Sequence, residues 1–532
     1  MGIYIHGKLP MKRIWTFFVF LALGLMVLCI HLGTLPLWGS EGRWAVISRY
    51  MFRTSDIFNP MLGILPYWDK PLASYWQVLP FAYMLGYVNE LTIRIPSVVW
   101  GISLVFMTYD LAKKWFGTKT AFFSAGILMT TYGFVFWARN AQVEMTNAAF
   151  IMFGIWYFIR HEEDKTHGWI YVLGVIMAIG SNMKGLTAYA VPIFCILILS
   201  GFKRDWSWLP SLKTLILAGL LSLSVFLVIP ILGSVHSSSL QPILMVWHEN
   251  ITRFFKPFDH RGPFYIYLYT IFEIAAPWSV LLPIAIWYYP LRKQLKGSKM
   301  LDTMILAASI LIFFSLSGSR RSYYILPILP FTSIIEADLL KRFAESALPR
   351  PESLAVKLAG LFIGIVCMIP VTSYLLKIRP DVYNLDAFTP YMLAIGLAGL
   401  IMWMGSLKKD AHIMVLSILM VWLVMVTGVV PWIANRPNNR RELVARIKAL
   451  NKPVAFLYND DAKIIFYLDK GYRIFSDIKD ARLWSQKSGG ILITFFKVDQ
   501  DSWRCVVKAS SWKALVARTI KKKGKTTFET NS

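Results

Sequence analysis

Two short polar stretches in an otherwise apolar chain carry the residue types that a group transfer needs. Gly39-Ser40-Glu41-Gly42-Arg43-Trp44 sets a carboxylate two positions from a guanidinium, and Pro66-Tyr67-Trp68-Asp69-Lys70-Pro71 sets a second carboxylate beside an ammonium, among aromatic rings. Further along, Arg139 precedes Glu144, Lys184 interrupts an apolar run, His260-Arg261-Gly262-Pro263-Phe264-Tyr265 leads into another, and Arg320, Arg321 and Tyr324 lie together. Lysine and arginine side chains bind phosphate oxygens. Aromatic faces pack on sugar rings, and a carboxylate within hydrogen-bond reach can take the proton of a hydroxyl acceptor. A lipid-linked sugar phosphate needs all three beside a membrane groove. Taken singly, each residue also has a plainer reading. Glu41 and Arg43 can form an interfacial ion pair, Asp69-Lys70 can cap a short helix, and Glu144 can favour a helix N-terminus. A lone loop histidine such as His260 is more often unliganded than a metal ligand.

The elements that must position these residues are membrane spans. Of the 532 residues, 56% are hydrophobic and 16% charged, against about a quarter charged in a soluble protein. Apolar runs long enough to cross a hydrocarbon core of about 30 Å recur through the first 430 residues. About thirteen spans are expected, near 13–33, 92–112, 119–137, 144–160, 168–183, 185–200, 213–233, 264–289, 300–317, 322–340, 354–376, 389–407 and 411–433. The split at Lys184-Gly185 is the least marked. With the N-terminus cytoplasmic, the short basic connections fall on the cytoplasmic side, as the positive-inside rule asks, and everything after residue 433 falls outside. The first apolar segment reads as a retained signal anchor. A formal net charge of +26 reads as basic loops beside anionic lipid. No nucleic-acid fold signature appears. The four cysteines imply no disulfide framework.

The candidate residues gather on the outer face, in the long intervals 34–91 and 234–263. Ile47 to Phe52 and Leu72 to Leu85 have helical spacing and aromatic content suited to short helices lying in the interface. A second crossing at 72–87 would reverse the remaining topology, and the loop charges oppose it. Beyond the polar linker Asn435-Arg436-Pro437-Asn438-Asn439, the composition changes. Helical periodicity over Arg441–Leu450, a strand at 454–458, a helix through Tyr467, and strands at 473–475 and 491–496 predict a small α/β unit. Its tail, Lys521-Lys522-Lys523-Gly524-Lys525, reads as a solvated end or a contact for anionic lipid.

The ordered set Ser40-Glu41-Gly42-Arg43-Trp44, Pro66-Tyr67-Trp68-Asp69-Lys70-Pro71, Arg94-Ile95-Pro96-Ser97, Trp137-Ala138-Arg139 with Glu144-Met145, Lys184-Gly185, His260-Arg261-Gly262-Pro263-Phe264-Tyr265 and Tyr324-Ile325-Leu326-Pro327 resembles the protein O-mannosyltransferase-like superfamily of membrane glycosyltransferases. Within it, the set looks like the lipid A aminoarabinose transferase branch. The resemblance covers nearly the whole chain and is more specific for the superfamily than for a substrate. It implies an all-α polytopic bundle of the GT-C type (1–433) with a small periplasmic α/β domain (434–532). It also implies inverting transfer of a pentose or hexose from a polyprenyl (undecaprenyl) phosphate to lipid A or another envelope glycan, at the outer face of a bacterial inner membrane and without a nucleotide cofactor.

By the same resemblance, Arg43, Tyr67, Lys70, Arg261 and Tyr324 match positions around the donor phosphate. Asp69 and His260 match positions that can hold a divalent metal (zinc, magnesium or manganese). Arg139 and Lys184 join the donor set, Glu41 and Glu144 are the catalytic carboxylates, and a monomer is expected. The family's first outer loop usually begins Asp-Glu; here Ser40 takes the Asp position. A sugar hydroxyl acceptor needs a base, whereas a phosphate acceptor is already an anion. The departure therefore shifts the base role to Glu41 or Glu144, or marks an anionic acceptor. Rival readings are a protein O-mannosyltransferase-like enzyme with a Ser/Thr acceptor, a polyprenyl-lipid transporter or flippase, and a non-catalytic binder of lipid-linked sugar. A transporter would show inverted repeats and mid-membrane charges, and neither is evident.

Overall fold

The computed structural model describes residues 22–252, 262–291, 295, 297–375, 385–434, 440–458, 460–494, 496, 503–509 and 512–517. Helices stand at each of the places where hydropathy predicts a span, the first being described only from residue 22. Seven helices among the described residues are long and apolar enough to cross a membrane, or up to nine if each of two bent pairs is one span. The membrane part is thus a mostly helical, multi-span bundle.

The helices that build the site are α1 (22–29), α2 (Glu41–Thr54), α3 (Ala73–Trp76), α4 (Leu79–Leu85), α5 (Glu90–Phe116), α6 (Thr118–Thr130), α7 (Tyr132–Ala138), α8 (Glu144–His161), α9 (Trp169–Met183), α10 (Thr187–Lys203) and α11 (Leu212–Ser237). Asn89 caps α5 by accepting the Thr92 amide, and Ser211 does the same for α11 through Thr214. Gly185, at φ +137°, separates α9 from α10. That backbone region favours glycine, which explains why the apolar run divides after Lys184.

Two breaks support each other. The α6–α7 pair bends by 64° at Thr131, and the pair Ile266–Ile274 and Trp278–Pro290 bends by 119°. Backbone polar groups freed by a break must find partners inside the protein. The Thr130 carbonyl accepts from Trp422 Nε1 at 2.7 Å, Thr130 Oγ1 accepts from Trp278 Nε1 at 2.8 Å, and the Tyr132 amide donates to the Ala276 carbonyl at 2.8 Å.

Between α1 and α5 the chain forms α2, a two-stranded hairpin (Met61–Leu62 with Leu65–Pro66), α3 and α4. Neither α3 nor α4 is long enough to span, so no crossing occurs at 72–87. Tyr83, Met84, Leu85 and Tyr87 are exposed, which suits an interfacial position. The hairpin carries no signal that hydropathy detects.

The C-terminal part is a five-stranded sheet with α12 (Arg440–Ala449), α13 (Ala462–Leu468) and α14 (Ile478–Ser488). In chain order its strands are Val454–Leu457, Arg473–Phe475, Ile491–Thr494, Trp503–Ala509 and Trp512–Ala517. The first strand pairs in parallel with the second and third, and the last two add antiparallel on the far edge. The α/β alternation is as expected; α14 and the last two strands were not anticipated. The linker 435–439 and the Lys521–Lys525 tail lie outside the described residues.

This part is clamped to α2. Arg53 makes a bidentate contact to Asp469 at 2.7 and 2.9 Å, and Arg49 donates to the Phe466 carbonyl at 2.7 Å. Tyr467 accepts the Leu37 amide at 2.7 Å and donates to Glu90 at 3.0 Å. Arg53 and Arg49 hold the Asp469 carboxyl below its usual range. At the contact, a Cβ on Gly42 would lie 2.7 Å from the Lys463 amide nitrogen and 2.9 Å from the Ala462 carbonyl carbon. Gly42→Ala is therefore expected to cost about 1–3 kcal/mol by overpacking. It should lower the melting temperature and speed proteolysis within residues 440–517. Gly219→Ala, at a position with open space around it, should show neither effect; equal behaviour of the two variants would refute the clamp.

Candidate active site

A buried ion pair stands behind the loops that precede α2 and α8. Glu41, the first residue of α2, is fully buried, and Arg94, in the second turn of α5, is 3% exposed. Arg94 Nε reaches Glu41 Oε1 at 2.8 Å, and Nη2 reaches Oε2 at 2.7 Å. The remaining guanidinium hydrogens go to the carbonyls of Leu32, Leu35 and Pro36 at 2.8, 2.9 and 3.3 Å. Glu41 also accepts the backbone amides of Trp38 and Ala141, both at 2.7 Å. Four donors fill the lone-pair sites of its carboxylate. The physical chemistry thus runs against Glu41 as a base: it is out of solvent, bidentately paired, and fixed at both oxygens. What it does is tie the 32–38 loop, α2, α5 and the 139–143 loop together.

Arg139 also turns inward. Its guanidinium donates to the carbonyls of Val27, Leu28 (2.9 Å) and Ile30 (2.7 Å). A cation at these C-terminal carbonyls closes α1, so the Arg139 guanidinium is engaged there. Ser40 donates to Gln142 Oε1 at 2.7 Å, a second stitch between the first loop and the 139–143 loop.

A first cluster of candidate residues forms in the 34–91 interval. Arg43 is exposed and donates to the Tyr67 hydroxyl at 2.6 Å, with its guanidinium 5.2 Å from the Tyr67 ring centroid. Burial pushes the Tyr67 hydroxyl well above its usual range, opposed by Arg43 and reinforced by Asp69 and Glu249. It therefore stays a neutral hydroxyl at all working pH values. Lys70 Nζ donates to its neighbour's carbonyl, Asp69 O, at 2.8 Å, and to Glu249 Oε2 at 3.3 Å. Asp69 starts no helix; α3 begins at Ala73.

The second cluster joins α8, α9 and residues 321–324. Glu144 opens α8 and bonds Lys184 at the end of α9. Lys184 Nζ lies 4.8 Å from the Tyr324 ring centroid. Arg321 donates to the Tyr323 hydroxyl at 2.7 Å, and Tyr323 packs on Trp137 at 4.5 Å between centroids. Arg320 is held by the carbonyls of Gly262 and Ser315. A narrow cleft of about 20 Å³ opens beside Lys70 and reaches the end of α9 at Gly185, next to Lys184. Trp68 and Lys70 line one side, Asn182 and Gly185 another, and apolar residues of α11 the third.

His260 and Arg261 lie outside the described residues. Among the described residues, no three of His, Cys, Asp and Glu are placed to hold a metal ion. Sequence reasoning missed Arg94 as the partner of Glu41 and missed Glu249 altogether. A general signal did exist for Arg94, because a charge within a span is expected to have a partner. Glu249 lies 179 positions from Lys70, and nothing in its local pattern singles it out.

Residues 69–231 match the family described as dolichyl-phosphate-mannose-protein mannosyltransferase. An undecaprenyl phosphate-alpha-4-amino-4-deoxy-L-arabinose arabinosyl transferase of Pseudomonas aeruginosa is 27% identical over 430 residues, covering 75% of this chain and 73% of the relative. The Aeromonas hydrophila protein of the same name is 30% identical over 356 residues, 63% of this chain and 61% of the relative. In fold, the chain is similar to ArnT from Cupriavidus metallidurans. The TM-score is 0.71 against the form bound to undecaprenyl phosphate, at 19% identity, covering 94% of this chain and 98% of that one. Against the apo form it is 0.73, at 18% identity, covering 96% and 98%. The resemblance carried by the motifs holds in both sequence and fold.

Removing one partner of a buried ion pair leaves the other charge uncompensated. Arg94→Met is expected to cost about 3–5 kcal/mol, read as loss of folded protein on size exclusion or a large drop in melting temperature. Glu41→Gln keeps the shape and should cost less. If Glu41→Gln were fully stable and yet inactive, a chemical role for Glu41 would be restored.

Proposed function

We propose that this chain is an integral membrane glycosyltransferase that moves a sugar from undecaprenyl phosphate to lipid A or another envelope glycan. The observation that carries the reading is the cleft lined by Lys70 and by apolar residues of α11. It offers a cation for a phosphate and a greasy wall for an isoprenoid chain. The aminoarabinose transferases that match three quarters of the chain support the donor class and the pentose. The ArnT-like fold supports a multi-span helical bundle of the GT-C type, and hydropathy with the positive-inside bias of the loops supports thirteen spans, an N-terminus in the cytoplasm and residues 434–532 in the periplasm of a bacterial inner membrane. The protein acts as a monomer.

In this reading the acceptor oxygen attacks the anomeric carbon as the bond to the donor phosphate oxygen breaks, with inversion. The leaving phosphate keeps the electron pair. Lys70, Arg43, the neutral Tyr67 hydroxyl and Tyr324 stabilise its growing charge, a role that the family resemblance also gives to Arg261. Lys184 pairs with Glu144 beside Gly185, which lines the opposite side of the cleft. Glu41 and Arg139 hold the loops in place. Asp69, with His260, would hold a divalent cation, whose chemistry would be to neutralise phosphate charge.

An anionic acceptor fits this charge arrangement best. Both carboxylates singled out as bases are engaged, Glu41 by Arg94 and Glu144 by Lys184, and a phosphate needs no base. Mass spectrometry of lipid A from cells with and without the chain tests the reading. A sugar-sized mass present only with the chain supports it. Unchanged lipid A with a sugar missing from proteins would transfer the reading to a Ser/Thr acceptor, and unchanged lipids, glycans and proteins would refute it.

Lys70 and Glu249 give predictions of opposite sign. Lys70→Ala should weaken donor binding by about 2–5 kcal/mol, as loss of a desolvated charge contact does. Glu249→Gln removes the anion that competes for Lys70 and should tighten undecaprenyl phosphate binding. Both are read by titrating the lipid into protein in nanodiscs, and weaker binding by Glu249→Gln would show that Glu249 supports the site.

A further inference from the structure

The donor-phosphate reading leaves one wall of the cleft unexplained. Ser181 and Asn182, in the last turn of α9, both line it and are 0% and 3% exposed. Asn182 Nδ2 donates to the Ala178 carbonyl at 3.2 Å and to the Phe226 carbonyl at 3.1 Å. Both amide hydrogens are thereby used, which fixes which way the amide faces. Its Oδ1 has no partner among the described residues. Neither has Ser181 Oγ. Elsewhere in the bundle some helical serines satisfy themselves on the preceding turn, Ser124 on the Thr120 carbonyl and Ser309 on the Ile305 carbonyl, at 2.7 and 2.8 Å, while others, Ser234 and Ser333 among them, leave Oγ unpaired as Ser181 does. Ser181 is distinguished by lining the cleft together with Asn182. Buried polar atoms are nearly always paired, so two buried, unpaired oxygens on consecutive residues that line the cleft point to a ligand that pairs them.

The chemistry of that ligand follows from the atoms. Asn182 Oδ1 can only accept, because its own N–H groups are committed to α9 and α11. Ser181 Oγ can accept or donate. We infer that Ser181 and Asn182 form a subsite for a hydrogen-bond-donating group, a hydroxyl or an ammonium, on the sugar carried by the phosphate that Lys70 binds. A sugar presenting a carboxylate there would set oxygen against oxygen and be rejected. This rests on the reading under Proposed function and adds to it the residues that recognise the sugar rather than the phosphate or lipid.

Full-length protein in nanodiscs is titrated with bare undecaprenyl phosphate and with undecaprenyl phosphate bearing 4-amino-4-deoxyarabinose. Wild type should bind the sugar-bearing lipid more tightly. Asn182→Leu, which keeps the volume, and Ser181→Ala, which should fold whatever Asn182→Leu does, should bind the bare lipid as wild type does. Each should lose about tenfold for the sugar-bearing one. In turnover, the loss should appear in the donor KM more than in kcat. Variants that bind both lipids as wild type does, or that lose both equally, overturn the subsite and leave the transferase reading standing. Wild type that binds neither lipid overturns that reading and the subsite with it.

Discussion

The loops around the candidate site depend on the buried pair between Glu41 and Arg94. Each partner is useless to the fold without the other, since either charge alone in that position would be strongly destabilising. Together they use every hydrogen of the guanidinium and every lone-pair site of the carboxylate. The pair places three backbone carbonyls of the loop after α1, the start of α2, the second turn of α5 and the amide of Ala141 around one point. Arg43 and Tyr67 project from the frame so fixed, and Glu144 begins its helix three residues after Ala141. The clamp of the C-terminal part works on the same frame from outside, since Lys463 donates to the Gly39 carbonyl at 3.0 Å and α13 starts against Gly42.

Around the cleft, described cations already have partners within the protein: Lys70 with Glu249, Lys184 with Glu144, and Arg43 with the Tyr67 hydroxyl. On the proposed reading, a phosphate entering the cleft therefore exchanges one interaction for another. The binding free energy is a difference between two charge-assisted contacts, not the full attraction of a bare lysine. Such an arrangement lowers affinity for adventitious anions and keeps the cations aligned. It also makes Tyr67 useful in a particular way: a hydroxyl pushed well above its usual range stays neutral, so it can accept from Arg43 and donate to a phosphate oxygen at once.

Much of the architecture was legible in the sequence because hydropathy reports directly on helix placement. The break at Lys184-Gly185 was visible as a charge and a glycine, and its cause is the backbone conformation of Gly185. The short helices between α1 and α5 were legible from helical and aromatic spacing. The hairpin at 61–66 was not, since two-residue strands have no periodicity to read. At the site, residue types were legible and their partners were not. Glu41 beside Arg43 reads locally as a pair, yet the carboxylate turns to Arg94, 53 positions away, because only there are enough donors to neutralise it out of water. Arg139 shows the same limit. A cation at the outer end of a span looks functional, but the carbonyls at the end of α1 need a donor, and Arg139 supplies it.

The serine at position 40 then acquires a physical meaning. An aspartate there would sit one residue from Glu41, beside a carboxylate already at its hydrogen-bonding capacity, and would need either a cation or a proton donor of its own. Ser40 instead gives its hydrogen to Gln142 and completes the seam between two loops with neutral groups. A reaction that required a base at this position would lose rate steeply by the exchange. A transfer to an anionic acceptor loses nothing in proton transfer, because no proton has to move. On the proposed reading, the same substitution that removes a base from the first loop relieves charge repulsion at the buried pair, and the chemistry of a phosphate acceptor is what lets both hold.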